Sequence, residues 1–78
     1  MDTNAVKALI ESRGYHVSLH QLGEYVELHA FKLDELQDLG DNTAVPTELR
    51  IVRVEGNAIR DMAVAMLELA RICGIDLS

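Results

Sequence analysis

NAIRDMAVAMLELARIC, residues 57–73, decides the fold of this chain, being its longest run without Gly or Pro. It is long enough for about four to five turns of helix. At ~100° per residue, Asn57, Arg60, Asp61, Glu68 and Arg71 share one narrow face with Val64. Everything else in the run is apolar, leaving an arc of roughly 200° to cover, against the ~100° stripe of an ordinary surface helix. Such a helix has to touch more than one neighbour. Gly74 and Ile75 then fit the left-handed C′ residue and the apolar C″ contact of a Schellman cap.

The elements that this helix must cover precede it. Asp2, Thr3 and Asn4 are three candidate N-caps for an amphipathic helix over residues 3–13, with Lys7 and Glu11 as an i,i+4 pair. Gly14 ends it, and Tyr15 supplies an apolar C″ contact. The period then switches to two: Tyr15, Val17 and Leu19 alternate with His16, Ser18 and His20, and residues 25–33 alternate likewise. If Gly23-Glu24 is a type II′ turn, which takes Gly first, counting sets the register. Leu22 faces Tyr25, His20 faces Glu27, Ser18 faces His29 and His16 faces Phe31; on the other side Leu19 meets Leu28 and Val17 meets Ala30. That register gathers the aliphatic residues on one face, and a one-residue slip loses the agreement.

Beyond residue 33 the alternation stops. Leu33, Leu36 and Leu39, spaced by Asp34, Glu35 and Asp38, predict a short helical turn ended by Gly40, and residues 41–47 read as loop. Pro46 excludes a central strand position. A third strand over residues 48–54 has two candidate inner faces, one with Leu49, Ile51 and Arg53 and one with Arg50, Val52 and Val54. Glu55-Gly56 turns into the long helix, with Asn57 as its N-cap. The fold class is therefore α+β: one domain over residues 1–78, in the order α-β-β-β-α. A three-stranded antiparallel sheet carrying both helices on one face is the economical packing.

Composition narrows the function. At 49% apolar and 26% charged residues, the chain folds rather than staying disordered. A core for 78 residues is modest, so a partner or a homodimer is an expected source of further stability. The single Cys73 excludes an internal disulfide and points to a reducing compartment; on the apolar arc it reads as a buried, inert thiol. Without a signal-peptide pattern or a run near ~20 apolar residues, the expectation is a cytoplasmic protein with no membrane contact. A formal net charge of −6 disfavours nucleic acid unless cations gather, and only Arg50, Arg53 and Arg60 lie close in sequence. The sharper reading of that acidity is a face that meets a basic partner.

The histidines are the residues that invite chemistry. In the register above, His16, His20 and His29 share one sheet face with Glu27. His16 and His20 are roughly 13 Å apart on one strand, so one zinc ion cannot take both, and His29 reaches only one of them diagonally. That leaves two His and one Glu at most, and a solvated sheet face is the preferred reading. The same face carries Leu22, Tyr25, Phe31 and Leu33, more apolar surface than solvation needs. These residues, with His16, His20 and His29 at the rim, are the candidate interaction face. Either residues 34–47 fold across it or a second molecule does. Asp34, Glu35, Asp38 and Asp41 lack the alternating ligands and the Gly of a calcium loop. Phosphate-loop, nucleophile-elbow and Cys-x-x-Cys patterns are absent from the sequence. A non-enzyme without a cofactor is expected.

The α-β-β-β-α order over nearly the whole chain resembles the double-stranded-RNA-binding-domain fold and the small HicA-type mRNA interferase toxins. The resemblance is in order and length. Where the RNA-binding domains have Gly-Pro-x-His and Lys-Lys-x-Ala-Lys, this chain has Leu22-Gly23-Glu24 and Ala58-Ile59-Arg60-Asp61. Where the toxins place Gly-Ser-His-His, it has Gly23-Glu24-Tyr25-Val26. Neither activity transfers to a residue here, and fold does not imply function. Size and acidity also look like those of small phage and mobile-element proteins. The leading expectation is a small acidic interaction module, a homodimer or a regulator or inhibitor of a basic partner. A nucleic-acid-binding module through Arg50, Arg53 and Arg60 is the alternative. A metal site at His20, His29 and Glu27 is the third.

Overall fold

The computed structural model describes residues 2–54 and 59–76, with the side chains of Ile59 and Arg60 outside that description. In chain order the elements are α1 (Thr3–Ser12), β1 (Tyr15–Leu22), β2 (Tyr25–Lys32), a 3-10 turn (Leu33–Glu35), β3 (Leu36–Gly40), β4 (Thr43–Pro46), β5 (Arg50–Val54) and α2 (Ile59–Ile72). Two helices and antiparallel strands make it α+β. The Glu55-Gly56 turn and the Asn57 cap lie outside the described residues. No described helix is long and apolar enough to cross a membrane.

Of the three candidate caps on α1, Asp2 serves: its Oδ1 accepts the Ala5 N–H at 2.7 Å. Val6 and Ile10, one turn apart, are its buried residues. Gly14 follows at φ 90° and donates its N–H to the Glu11 carbonyl at 3.1 Å, while Tyr15 is buried. The β1–β2 register is the one that counting through the turn sets, from Leu22 opposite Tyr25 to His16 opposite Phe31. Gly23 takes a positive φ of 71° and Glu24 does not, as a type II′ turn requires.

The order of the main sheet is β1-β2-β5. Val52 pairs with Leu28 and Val54 with Val26, and this decides the inner side of β5. Val52 and Val54 are buried, while Ile51 and Arg53 point to the other face. Leu49 and Ile51 lose that competition because the Val pair extends the aliphatic rows already formed by Val17, Ala30, Leu28 and Val26. Arg50 shares the inner side at the periphery, with its guanidinium 5.1 Å from the Tyr15 ring centre and 3.4 Å from Glu48 Oε2.

One core joins these rows to Val6 and Ile10 of α1, to Ala65, Met66, Leu69 and Ala70 of α2, and to Ile75. With half-buried Met62, Ala63, Leu67 and Cys73, the covered side of α2 spans roughly 200° at ~100° per residue. The wide arc is used, against α1, β2 and β5. Ile72, beside Glu68 at its margin, stays 48% exposed.

The C-terminus of α2 has the expected cap. Ile75 N–H reaches the Ala70 carbonyl at 3.0 Å and Gly74 N–H the Arg71 carbonyl at 2.9 Å, the paired bonds of a Schellman motif, with Gly74 at φ 79°. A Cβ on Gly74 meets no atom within 4 Å, so Gly74→Ala costs only backbone strain, about 1–2 kcal/mol. Urea melts of the two proteins measure it; an unchanged midpoint would sink the cap's role.

Residues 34–47 differ from expectation. Helical geometry is confined to the 3-10 turn Leu33–Glu35, and the expected loop is the second half of a hairpin, β3 with β4. The turn is Asp41-Asn42, both at positive φ (51° and 61°). Asp and Asn tolerate that region, and two such residues build a type I′ turn. A bulge between Asp38 and Gly40, with Gly40 N–H on Asp38 Oδ1 at 2.8 Å, lets Leu39 break the alternation that would have announced the strand. Thr47 closes the base, donating N–H and Oγ1–H to the Glu35 carbonyl at 3.0 and 2.9 Å. Pro46 ends β4 at the margin of a two-stranded sheet, a position Pro tolerates.

Candidate interaction face

Alternation along the strands turns His16, Ser18, His20 and Leu22 of β1 away from the core. Tyr25, Glu27, His29 and Phe31 of β2, with Ile51 and Arg53 of β5, turn the same way. Leu33, the remaining candidate, lies one residue past β2 in the 3-10 turn, 55% exposed and outside the strand register. Ile51 and Arg53 are additions that the sequence concealed, because the facing of their strand was open until β5 paired with β2.

The side chains on this face interact in pairs. The His16 and Phe31 rings are tilted at 5.2 Å. Arg53 lies over Tyr25 with its Cζ 3.7 Å from the ring centre, a cation–π contact. The His20 and His29 rings lie 4.1 Å apart at 34°. His29 Nε2 is 3.0 Å from Glu27 Oε1, and His20 Nε2 is 2.9 Å from Ser18 Oγ. So His20, His29 and Glu27 do converge, but as a ring stack with a hydrogen bond at its side. Among the described residues, no group of three or more His, Cys, Asp or Glu is arranged to hold a metal ion. The Ser18–His20 contact joins two residues of one strand. An orienting carboxylate would have to bond the other nitrogen of His20, and Glu27, opposite in register, bonds His29 instead.

What remains is apolar area in two groups. Leu22, 42% exposed, faces half-buried Tyr25 at one end, and Ile51, 46% exposed, lies toward half-buried Phe31 at the other, with His20, Glu27, Ser18 and His29 in the rows between. Residues 36–46 form their own sheet and bury none of their side chains, so this face is left open. The hairpin carries Leu36 and, at 58% exposed, Leu39. On the core side, Leu19 borders a hollow of about 240 Å³ that Lys7, Val17, Met62 and Met66 also line.

Cys73 lies apart from this face. It is half-buried, and burial pushes its thiol pKa up, opposed in part by the Arg50 charge. Its backbone carbonyl accepts the Tyr15 hydroxyl at 3.1 Å. Since the thiolate is the reactive form, folded protein at mildly alkaline pH alkylates at least about fivefold more slowly than protein in urea. Equal iodoacetamide rates in both states would show that burial does not protect the sulfur. Arg50 and Arg53 project from opposite sides of β5, so the two do not form one cationic patch. Compared with protein-family models, curated proteins and solved structures, the chain matches none, and the layout resemblance brings no relative with it.

Proposed function

We propose that this chain is a small, acidic, non-catalytic protein-interaction module. Both helices cover one face of the β1-β2-β5 sheet, and the opposite face docks a protein. The observation that carries the reading is the open outer face, where Leu22 and Ile51 are each more than 40% exposed beside Tyr25 and Phe31. Exposed apolar groups mixed with polar residues suit an interaction site, and an aromatic and an arginine in contact, as Tyr25 and Arg53 are, suit binding hot spots. The net charge of −6 favours a basic partner, whose regulation or inhibition would be the module's task. A reducing, cytoplasmic setting suits the single thiol. The opposed directions of Arg50 and Arg53 weigh against nucleic acid.

The test compares tagged wild type with a Leu22→Ser, Phe31→Ser variant in affinity purification from nuclease-treated host lysate. Both changes are on the outer face, and circular dichroism checks that the fold is kept. A stoichiometric protein held by wild type and lost by the variant is the expected result. The same proteins on both would overturn the reading of this face.

A further inference from the structure

A second open surface lies at the edge of the main sheet. β5 ends the order β1-β2-β5, so among the described residues its outer edge pairs with no strand. Between β5 and α2 runs a groove of about 240 Å³. It is apolar along its length, with Val52 and Val54 on the strand side and Val64 and Ala65 on the helix side. Asp61, Val64, Ala65 and Glu68 follow i, i+3, i+4, i+7 spacing, which puts them on one face of α2. Val64 is 58% exposed, and the two carboxylates stand on either side of it. Both acids are exposed, and among the described residues neither forms an ion pair. The helix N-terminus accounts for Asp61, in the first turn, but not for Glu68, about two turns further on. Arg53 also lines the groove, yet its guanidinium lies over the Tyr25 ring on the outer face. Asp61 and Glu68 thus set the sign of the groove, and histidine has no part in it.

The strand beside this groove has main-chain groups to offer. The β1–β2 turn makes Leu22 and Tyr25 a hydrogen-bonded pair. Alternation then sends the main-chain groups of Leu28 and Ala30 to β5 and those of Ile51 to the open edge. We propose that the groove binds an extended, basic segment of a protein partner. The segment adds a strand to the edge of β5, sets one apolar side chain against Val64, and places a Lys or Arg on Asp61 and another on Glu68. This rests on the partner being basic, as above, and puts its basic stretch here and not on the outer face. Glu68 comes seven residues after Asp61, about 10 Å along the helix. Residues four apart on a strand point the same way and lie about 13 Å apart, a difference that long Lys and Arg side chains absorb. The segment therefore reads basic, apolar, basic on alternate residues. A second copy of the chain does not supply it. No two of its seven Lys and Arg are two or four residues apart, and each copy carries −6.

Fluorescence anisotropy on the full chain tests this with a labelled peptide, Gly-Lys-Thr-Val-Thr-Lys-Gly. Wild type is expected to bind it, about tenfold more weakly at high than at low salt. An Asp61→Lys, Glu68→Lys variant loses about tenfold or more, and Glu68→Lys alone, which spares the first turn of α2, about threefold. The doubly reversed protein takes the matching Glu-Thr-Val-Thr-Glu peptide at least about tenfold more tightly than wild type does. Both positions are exposed, and circular dichroism confirms folding. With the lysine peptide bound, hydrogen exchange at the Ile51 amide slows at least about fivefold. Wild type that leaves the peptide free at about 500 µM, a concentration at which weak complexes form, overturns the inference. So does equal binding of a peptide of the same composition with its lysines adjacent, which would mean bulk charge alone. Unchanged exchange at Ile51 overturns the added strand. The Leu22→Ser, Phe31→Ser variant keeps the peptide; if it alone loses it, the basic contact belongs to the outer face and the groove falls. No peptide binding, with a lysate protein still held through Leu22 and Phe31, removes the groove and keeps the interaction module. Peptide held at the groove, with no lysate protein lost by the outer-face variant, keeps the groove and removes the outer face.

Discussion

Replacing Leu28 with Ala lowers the unfolding free energy by about 3–4 kcal/mol, in the middle of the range for a buried leucine that leaves a cavity. Leu28 is fully buried in the central strand, between Leu19 on one side and Val52 on the other. A chain of 78 residues has only about 4–12 kcal/mol in total, so this one change removes a large share of it. The melting temperature falls by roughly 15–25 °C on the usual scale for domains of this size. Leu19→Ala is the internal control. It stands on the same face and opposite Leu28, yet is 56% exposed, and costs less than about 1 kcal/mol. Urea denaturation of the three proteins decides the matter, and equal costs at the two leucines would mean that the core is not centred on Leu28.

Tyr15→Ala costs about 3–4 kcal/mol, at the lower end for a buried aromatic, and Tyr15→Phe only about 1 kcal/mol, the worth of one hydrogen bond. Tyr15 opens β1 and is 5% exposed. Its hydroxyl donates to the Cys73 carbonyl at the end of α2, and Arg50 lies over its ring. The residue thus ties the first strand, the last strand and the last helix together, and most of that tie is ring area. The Ala change also strips Arg50 of its aromatic neighbour. If Tyr15→Phe proved as costly as Tyr15→Ala, the hydroxyl and not the ring would be the tie.

The two sides of the sheet hold different residues. The core side spends its apolar residues on joining α1 and α2 in one cluster. The outer side holds its histidines in pairwise contacts with Phe31, Glu27 and Ser18 and keeps Leu22 and Ile51 open.

How much of this was legible depends on how local each cause is. The register of β1 with β2 follows from one glycine and a period of two, both visible in Tyr15-His16-Val17 and beyond. The α2 cap follows from Gly74 and Ile75 alone. The hairpin at residues 36–46 was hidden because a bulge at Leu39 and a turn without its own glycine erase the alternation, leaving a leucine spacing that mimics a helix. The candidate face was visible in Leu22, Tyr25, Phe31 and the three histidines. Its β5 members were not, since Ile51 and Val52 are equally apolar and neighbours on one strand. Only the pairing of Val52 with Leu28 sends Ile51 and Arg53 outward.

By itself, then, the amino-acid sequence determined both helices, the first strand pair with its register, and the wide apolar arc of α2, because periodicity and glycine act within a few residues. Only the tertiary structure decided which side of β5 is buried, that residues 36–46 make a separate sheet, and that this sheet leaves the outer face open. Those outcomes depend on which apolar rows meet across strands distant in sequence, and no local pattern encodes that competition.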